Sequence, residues 1–214
     1  MSQIPNDDQS TPPSVFKQPQ PKKESGLKSV LSIVGILLLA PVIAFSLISW
    51  VFQSYEVYGP SMQETLQHKD RLIILKLPET WASIRNKPHI PERGDIIVFS
   101  RDASSEYSTG EEKQLIKRVI GLPGERVVVK NGSVKIYNQQ NPTGFDPDRD
   151  QQYAKSISTT SGNVDLTVDE GQVFVLGDNR PNSLDSRVFG PISTDHIVGK
   201  LVLRIYPFNK TDSF

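Results

Sequence analysis

An uncharged, mostly aliphatic stretch near the N-terminus constrains the fold of this chain most strongly. No residue in 29–55 is charged, and positions 30–52 supply 23 consecutive, predominantly apolar residues. With a rise of about 1.5 Å per residue, a helix of this length crosses the roughly 30 Å hydrocarbon core of a membrane. A cleaved secretion signal has a shorter apolar region nearer the N-terminus. The sequence therefore predicts one uncleaved transmembrane anchor, residues 29–53, which tolerates Pro41 as membrane helices do.

The charges that flank this stretch predict its orientation. Four lysines precede it, whereas the first cation after it is Lys69. Because cytoplasmic flanks retain Lys and Arg, we expect the N-terminus inside the cell and the C-terminal part outside the membrane. Residues 1–28 are rich in proline and poor in large apolar side chains, which predicts a disordered cytoplasmic tail. Residues 54–214 are long enough to form one extracytoplasmic domain with its own core.

Composition excludes several classes of function. The chain has no cysteine, so it has neither a thiol nucleophile nor a thiolate zinc site. Its three histidines, at positions 68, 89 and 196, lack the close spacing of metal ligands, and we expect no metal and no cofactor. The formal net charge is +0, which gives no indication of a nucleic-acid partner.

The part that follows the anchor has the pattern of a mostly β domain. Short runs of β-branched and aromatic residues, bounded by Gly, Pro or Asp, predict strands at 72–75, 95–99, 173–176 and 197–206.

One local element is a β-hairpin, in which 127–130 and 133–137 flank Asn131-Gly132, a dipeptide suited to a type I′ turn. Two stretches interrupt the β pattern. We expect a short helix near Trp81 within 78–92, and a loop or small surface flap over 138–162.

Ser61 is the first candidate functional residue, because it follows a Gly-Pro pair soon after the apolar stretch. A serine hydroxyl is a weak nucleophile unless a base removes its proton. The third residue after Ser61 is Glu64, so the Ser-x-x-Lys motif of penicillin-binding enzymes is absent and the base must come from elsewhere. Ser61 lies nine positions after Phe52, which keeps the hydroxyl within roughly 30 Å of the anchor's end.

The apolar run 114–125 contains two cations, and we expect one of them to point inward. Alternation along a strand places Lys117 and Arg118 on opposite faces and does not choose between them. Arginine stays charged in proteins, whereas a lysine in apolar surroundings can lose its proton, so only Lys117 can act as a base. The alternative is a lysine at a sheet edge whose ammonium group reaches solvent.

The segment 177–187 is highly polar and directly follows a predicted strand. Asp185 and Arg187 are placed to pair, and Asp178 and Asn179 to fix the turn through bonds to its backbone. A serine hydroxyl of this segment is able to orient a neutral lysine. The alternative is a solvated turn that only joins two strands.

Four segments together resemble, in order, the conserved boxes of bacterial type I signal (leader) peptidases of the single-anchor form. They are 59–62, 93–99, 116–125 and 177–187. The resemblance runs from about residue 30 to Phe208 and leaves the tail and 138–162 without a counterpart. It implies a membrane-bound serine endopeptidase with a mostly antiparallel β fold and a small variable cap around 138–162. Such enzymes remove N-terminal signal peptides from exported preproteins after small residues, commonly Ala-x-Ala.

The resemblance also implies the roles of individual residues, carried over by motif position. Ser61 is the expected nucleophile and Lys117 the expected general base. Ser183 matches the family serine that hydrogen-bonds the lysine, and Asp185 and Arg187 match a structural ion pair behind it.

Two glycines complete the expected site. Gly177 begins the supporting loop. In some members of the family the residue two before the nucleophile is a serine that helps the oxyanion hole, but here it is Gly59. The hole would then rest on backbone N–H groups, mainly that of Ser61.

The implied partners are the signal peptides of exported preproteins, the lipid bilayer and, nearby, the secretion translocon, all at a bacterial cell membrane. Two other classes stay open. A Ser/Lys peptidase dedicated to one secretion or conjugation system would differ in its preprotein range. A non-enzymatic, single-pass assembly protein with an all-β domain would have no need of a lysine near Ser61.

Overall fold

The structure is a computed structural model in which residues 26–63, 65–76, 90–101, 113–150, 157 and 159–214 are described. The helix that we predict near Trp81, residues 1–25 of the tail and positions 151–156 and 158 of the flap lie outside these ranges. The described residues divide into two compact units, one that ends at Ala44 and one that begins at Phe45.

The N-terminal apolar stretch forms a long helix, α1, Gly26–Val51, with Pro41 inside it. Its apolar side chains are exposed, and Val30–Val51 is long and apolar enough to cross a membrane. The helix ends two residues before the predicted limit of the anchor, because Phe52 and Gln53 already belong to the first strand.

Eleven strands form two antiparallel sheets in the described part of the chain. They are β1 Phe52–Glu56, β2 Arg71–Leu75, β3 Ile96–Arg101, β4 Lys113–Gly121, β5 Arg126–Lys130, β6 Ser133–Tyr137, β7 Val164–Thr167, β8 Gln172–Leu176, β9 Ile192–Ser193, β10 Ile197–Tyr206 and β11 Asp212–Ser213. The larger sheet has the order β1-β2-β10-β3-β4-β8-β9, and β11 pairs with β10. The mostly β, antiparallel fold class is confirmed.

The smaller sheet has the order β6-β5-β7 and contains the predicted hairpin. Lys130 pairs with Ser133 across the turn, and Asn131 and Gly132 have φ angles of 53° and 79°. These positive values are those that a type I′ turn requires, which explains the Asn-Gly pair. The described part of 138–162 contains one short helix, α2, Pro147–Asp150.

Two buried clusters flank the strands that carry the candidate site. The first packs Val57, Met62 and Leu66 against the larger sheet, including Ile74 and Val98. The turn that contains Ser61 is thereby fixed to the core on both sides of the serine.

The second packs residues of β3, β4 and β8 together, among them Ile97, Phe99, Val119 and Val175. Such β-branched and aromatic side chains fit the pleated surface of a central strand. The run 114–121 that holds the two cations is therefore an interior strand between β3 and β8, and not a sheet edge.

A second short helix, α3, Ser186–Phe189, follows the polar segment after β8.

Candidate active site

Ser61 lies in a tight turn whose backbone is closed by local hydrogen bonds. Gln63 N–H donates to Pro60 O at 3.0 Å, and Leu66 N–H donates to Met62 O at 2.8 Å. Gly59 has a φ of 94°, and a side chain there would meet open space. The glycine is therefore required by the backbone conformation and not by lack of room, since L-residues rarely adopt this φ.

Lys117 lies in the middle of β4, opposite Ile97 of β3, and is 2% exposed. Its Nζ is 2.8 Å from Ser61 Oγ and donates to Ile116 O at 2.9 Å. The structure thus brings together the two residues that the sequence paired across 56 positions. The alternative of an edge-strand lysine with a solvated head is wrong.

Burial lowers the pKa of Lys117 from its ordinary value of 10.5 to about 8. Removal from water disfavours the charged ammonium, and the nearby carboxylates of Asp185 and Asp178 oppose this effect only in part. A large fraction of the lysine is then neutral slightly above neutral pH. A neutral amine beside a serine hydroxyl is able to take the hydroxyl's proton.

The loop after β8 also binds the turn that contains Ser61. Asn179 donates its backbone N–H to Ser61 O at 3.0 Å and its side-chain Nδ2 to Pro60 O at 3.0 Å. A Cβ on Gly177 would lie 2.5 Å from Ser61 O and 2.2 Å from Ser183 Oγ. The absence of a side chain at Gly177 therefore allows the loop backbone to approach the nucleophile turn closely.

The ion pair between Asp185 and Arg187 is present and buried. Arg187 Nε lies 2.8 Å from Asp185 Oδ1, and Arg187 Nη2 lies 2.8 Å from Asp185 Oδ2. The side chain of Arg187 is 8% exposed and that of Asp185 is 0% exposed. Asp185 Oδ2 also accepts the Gly177 N–H at 3.1 Å, and Oδ1 accepts the Arg187 N–H at the start of α3. The carboxylate therefore ties the beginning of the loop to its end.

The hydrogen bond that the resemblance implies between Ser183 and Lys117 is not formed. Ser183 Oγ is buried and has no hydrogen-bond partner among the described residues. Lys117 Nζ is occupied by Ser61 Oγ and Ile116 O, while the Ser183 hydroxyl lies against Gly177.

The expectation that one of the two cations points inward is too narrow, because both are buried. Arg118 lies on the other face of β4, donates to Asp178 Oδ1 and Oδ2 at 2.9 and 2.6 Å, and also donates to Gly94 O at 2.7 Å. Thr65 donates its hydroxyl to the same carboxylate at 2.5 Å. Asp178 thus pairs with Arg118, whereas we predicted that its side chain would fix its own turn through bonds to the backbone. A buried arginine requires a carboxylate, but no local pattern in the sequence indicates that its partner lies 60 positions away.

The chain is similar to several known proteins. A family model described as "Signal peptidase, peptidase S26" matches residues 16–206. The "Signal peptidase I" of Leptolyngbya laminosa is 34% identical over 201 residues, which cover 94% of this chain and 90% of that protein. The "Signal peptidase I" of Bacillus caldolyticus is 35% identical over 170 residues, which cover 75% and 83%. A crystal structure of a signal peptidase I from Enterococcus faecalis V583 is 31% identical, with 52% of this chain and 97% of that chain covered and a TM-score of 0.38.

Proposed function

This chain belongs to the peptidase S26 family of signal peptidases, and from this premise we propose that Ser61 and Lys117 are the pair with which it removes signal peptides. The activity is that of a serine peptidase, whose substrates are signal peptides. One observation carries the assignment of the pair: Lys117 Nζ, buried and with a lowered pKa, lies 2.8 Å from Ser61 Oγ.

In the proposed reaction, Ser61 Oγ attacks the carbonyl carbon of the scissile peptide bond while neutral Lys117 accepts the hydroxyl proton. The tetrahedral intermediate then collapses, the C–N bond breaks, and the lysine returns the proton to the leaving amine. A water molecule attacks the resulting ester, with Lys117 again as the base, and this step releases the signal peptide and restores Ser61. In the second half, Lys117 passes the proton of the water to Ser61 Oγ as the ester bond breaks.

The developing oxyanion needs hydrogen-bond donors near Ser61. We assign this role to backbone N–H groups, mainly that of Ser61 itself. The φ of 94° at Gly59 supports backbone N–H groups as the donors, because a serine would be strained at this position. Ser183, Asp185 and Arg187 belong to the loop that supports the pair, and Gly177 gives that loop its close approach to Ser61.

We assign a preference for small residues, of the Ala-x-Ala type, on the basis of the family. Such a preference is enforced when shallow pockets exclude larger side chains. A dedicated peptidase of one secretion or conjugation system would cleave only its own substrate. Cleavage of a panel of unrelated Ala-x-Ala preproteins by the full chain would exclude that alternative.

The family is membrane-associated, and α1 fits an anchor in length and composition. We further propose that the N-terminus is cytoplasmic, that residues 54–214 lie outside the membrane, and that the bilayer and a nearby translocon deliver the substrate. Anchoring raises the local concentration of a signal peptide that is itself in the bilayer.

Because the chain has no cysteine, single cysteines report this topology directly. In intact cells, an impermeant maleimide should label Thr211→Cys, and should label Ser10→Cys only after permeabilisation. The reverse pattern would contradict the proposed orientation.

The catalytic assignment is tested by cleavage of an Ala-x-Ala preprotein. Ser61→Ala and Lys117→Ala should each abolish cleavage in a folded protein, and Lys117→Arg should also be inactive because a guanidinium stays charged. Exposed residues of the same types provide matched controls, Ser213→Ala and Lys135→Ala, which should keep full activity. Substantial cleavage by Ser61→Ala or Lys117→Ala would refute the mechanism.

A further inference from the structure

Arg180 is a buried cation of the loop after β8 that the proposed mechanism does not use. Its side chain is 1% exposed, and its Nε donates to Gly177 O at 3.1 Å. The guanidinium forms a two-pronged ion pair with Asp148, in which Nη2 donates to Oδ1 at 2.6 Å and Nη1 contacts Oδ2. Nη1 also donates to the hydroxyl of Thr160. All three guanidinium nitrogens of Arg180 therefore form hydrogen bonds, and the side chain is almost completely shielded from water.

Asp148 belongs to the segment 138–162, in which the sequence predicts a loop or small surface flap. It lies in α2, where its backbone N–H donates to Asp146 Oδ1 at 2.9 Å. Its side chain is 11% exposed. The counter-ion of a loop residue next to the candidate active site is therefore supplied by a segment 32 positions earlier in the chain.

The same segment contacts the loop at a second point. Arg187 donates from Nη1 to Ser161 O at 2.8 Å and from Nη2 to Arg180 O at 2.6 Å. Thr160 in turn donates its N–H to Gly132 O at 2.8 Å, in the turn of the hairpin. The loop is thus fastened through residues 148, 160 and 161 to the smaller sheet.

A short path of contacts joins Asp148 to the nucleophile. Arg180 binds Gly177 O, and Gly177 lies against the backbone of Ser61. The neighbour of Arg180, Asn179, donates its N–H to Ser61 O. An unpaired buried guanidinium is costly, so loss of its counter-ion would drive Arg180 toward solvent and move the loop residues that hold Ser61.

We propose that Asp148 is a positioning residue of the active site, acting through Arg180 on the loop that fixes Ser61. This inference rests on the proposed function of Ser61 and Lys117. It assigns a task to the segment 138–162: the segment braces the loop by supplying the counter-ion and the Thr160 hydroxyl.

The test compares variants of the full chain in lipid vesicles, with a preprotein as substrate. Asp148→Asn removes the charge with little change of shape. Misplacement of reacting groups by about 1 Å can cost on the order of 100-fold in rate, so kcat should fall by at least about 10-fold. KM should change by less than about twofold, because substrate binding is not altered. Asp148→Glu, which keeps the carboxylate, should recover most of the lost kcat.

Asp165→Asn is the matched control, since Asp165 forms an exposed pair with Arg126 on the smaller sheet; it should keep the wild-type kcat. If Asp148→Asn does not fold, Thr160→Val removes a neutral partner of the same guanidinium and should lower kcat by about threefold or more without changing KM. Each variant is compared at a temperature where circular dichroism shows it fully folded.

Two outcomes would overturn the inference: a wild-type kcat in folded Asp148→Asn, or equal losses in Asp148→Asn and Asp165→Asn. Ser61→Ala is measured in parallel to separate the two claims. Activity in Ser61→Ala would sink the proposed function itself. An inactive Ser61→Ala together with a fully active Asp148→Asn would remove the positioning role alone.

Discussion

Arg118 and Asp178 form an ion pair in which the side chains are only 5% and 1% exposed. Arg118 is the chain neighbour of Lys117, and Asp178 is the neighbour of Asn179, which binds the carbonyl of Ser61. Thr65 joins the same carboxylate from the nucleophile turn. The pair therefore connects the three segments that carry or support the Ser61–Lys117 contact. We regard it as the structural centre of the site.

Breaking this pair from one side should destabilise the domain. Asp178→Asn removes the carboxylate that pairs with Arg118, and loss of one partner from a buried pair costs about 3–5 kcal/mol. The free energy of unfolding, measured by urea denaturation, should fall by that amount. Glu56→Gln, which removes an exposed pair with Arg71 at 4.0 Å, should change it by less than about 1 kcal/mol.

The double variant Arg118→Met with Asp178→Leu separates loss of a charge from loss of packing. Apolar replacement of a whole buried pair is often neutral or stabilising. The double variant should therefore be more stable than Asp178→Asn. If the double variant were less stable than Asp178→Asn, the expectation that an apolar pair can replace the ion pair would be wrong.

The pH dependence of cleavage should report the protonation of Lys117. With a pKa of about 8, the lysine is mostly charged at pH 7 and mostly neutral at pH 9. Because only the neutral amine accepts the Ser61 proton, kcat/KM should rise with pH through about 8 and then level off. A profile that stays flat between pH 6.5 and 9.5 would mean that Lys117 is not the base.

The burial that lowers the pKa of Lys117 also lowers the free energy of unfolding of the domain. Between pH 8 and 10.5 the unfolded chain holds a proton that the folded chain has released, so stability rises with pH over this range. Below pH 8 both states are protonated and the full cost applies, which for this shift is roughly 3 kcal/mol. Lys117→Met removes the cost and should be inactive, yet more stable at pH 7 by an amount of that order.

Denaturation of both proteins from pH 7 to 10.5 measures this difference directly. The gap between Lys117→Met and the wild type should narrow as the pH rises through this range. A gap that is constant with pH would arise from packing of the methionine and would contradict the linkage to Lys117.

Locally encoded features were predictable from the sequence. The strand at 197–206 coincides with β10, and the Asn-Gly hairpin has the φ angles that its turn type requires. In both cases the information lies within a few neighbouring residues. Chemistry singled out Lys117 as the only possible base, but it did not predict that both cations of β4 are buried.

The long-range polar contacts were not predictable. Arg118 and Asp178 are 60 residues apart, and the partner of Arg180 lies in a segment without recognised motifs. Ser183 shows a limit of predicting contacts from a family resemblance. A resemblance transfers a residue's role, but a hydrogen bond depends on ångström-scale placement, and here the Ser183 hydroxyl has no partner among the described residues.

Gly177 should tolerate no side chain, for a steric reason. A Cβ there would lie 2.5 Å from the carbonyl oxygen of Ser61, a backbone atom that cannot turn away. Gly177→Ala should therefore displace the nucleophile, lowering kcat at least about 10-fold, with a loss of about 1–3 kcal/mol in stability.

Gly124→Ala is the control: its φ of 79° makes alanine cost about 1–2 kcal/mol, but a side chain there meets open space. Both variants should unfold earlier than wild type in a thermal scan, and only Gly177→Ala should lose kcat when both are assayed fully folded. Wild-type kcat in folded Gly177→Ala would show that Ser61 does not depend on this close approach.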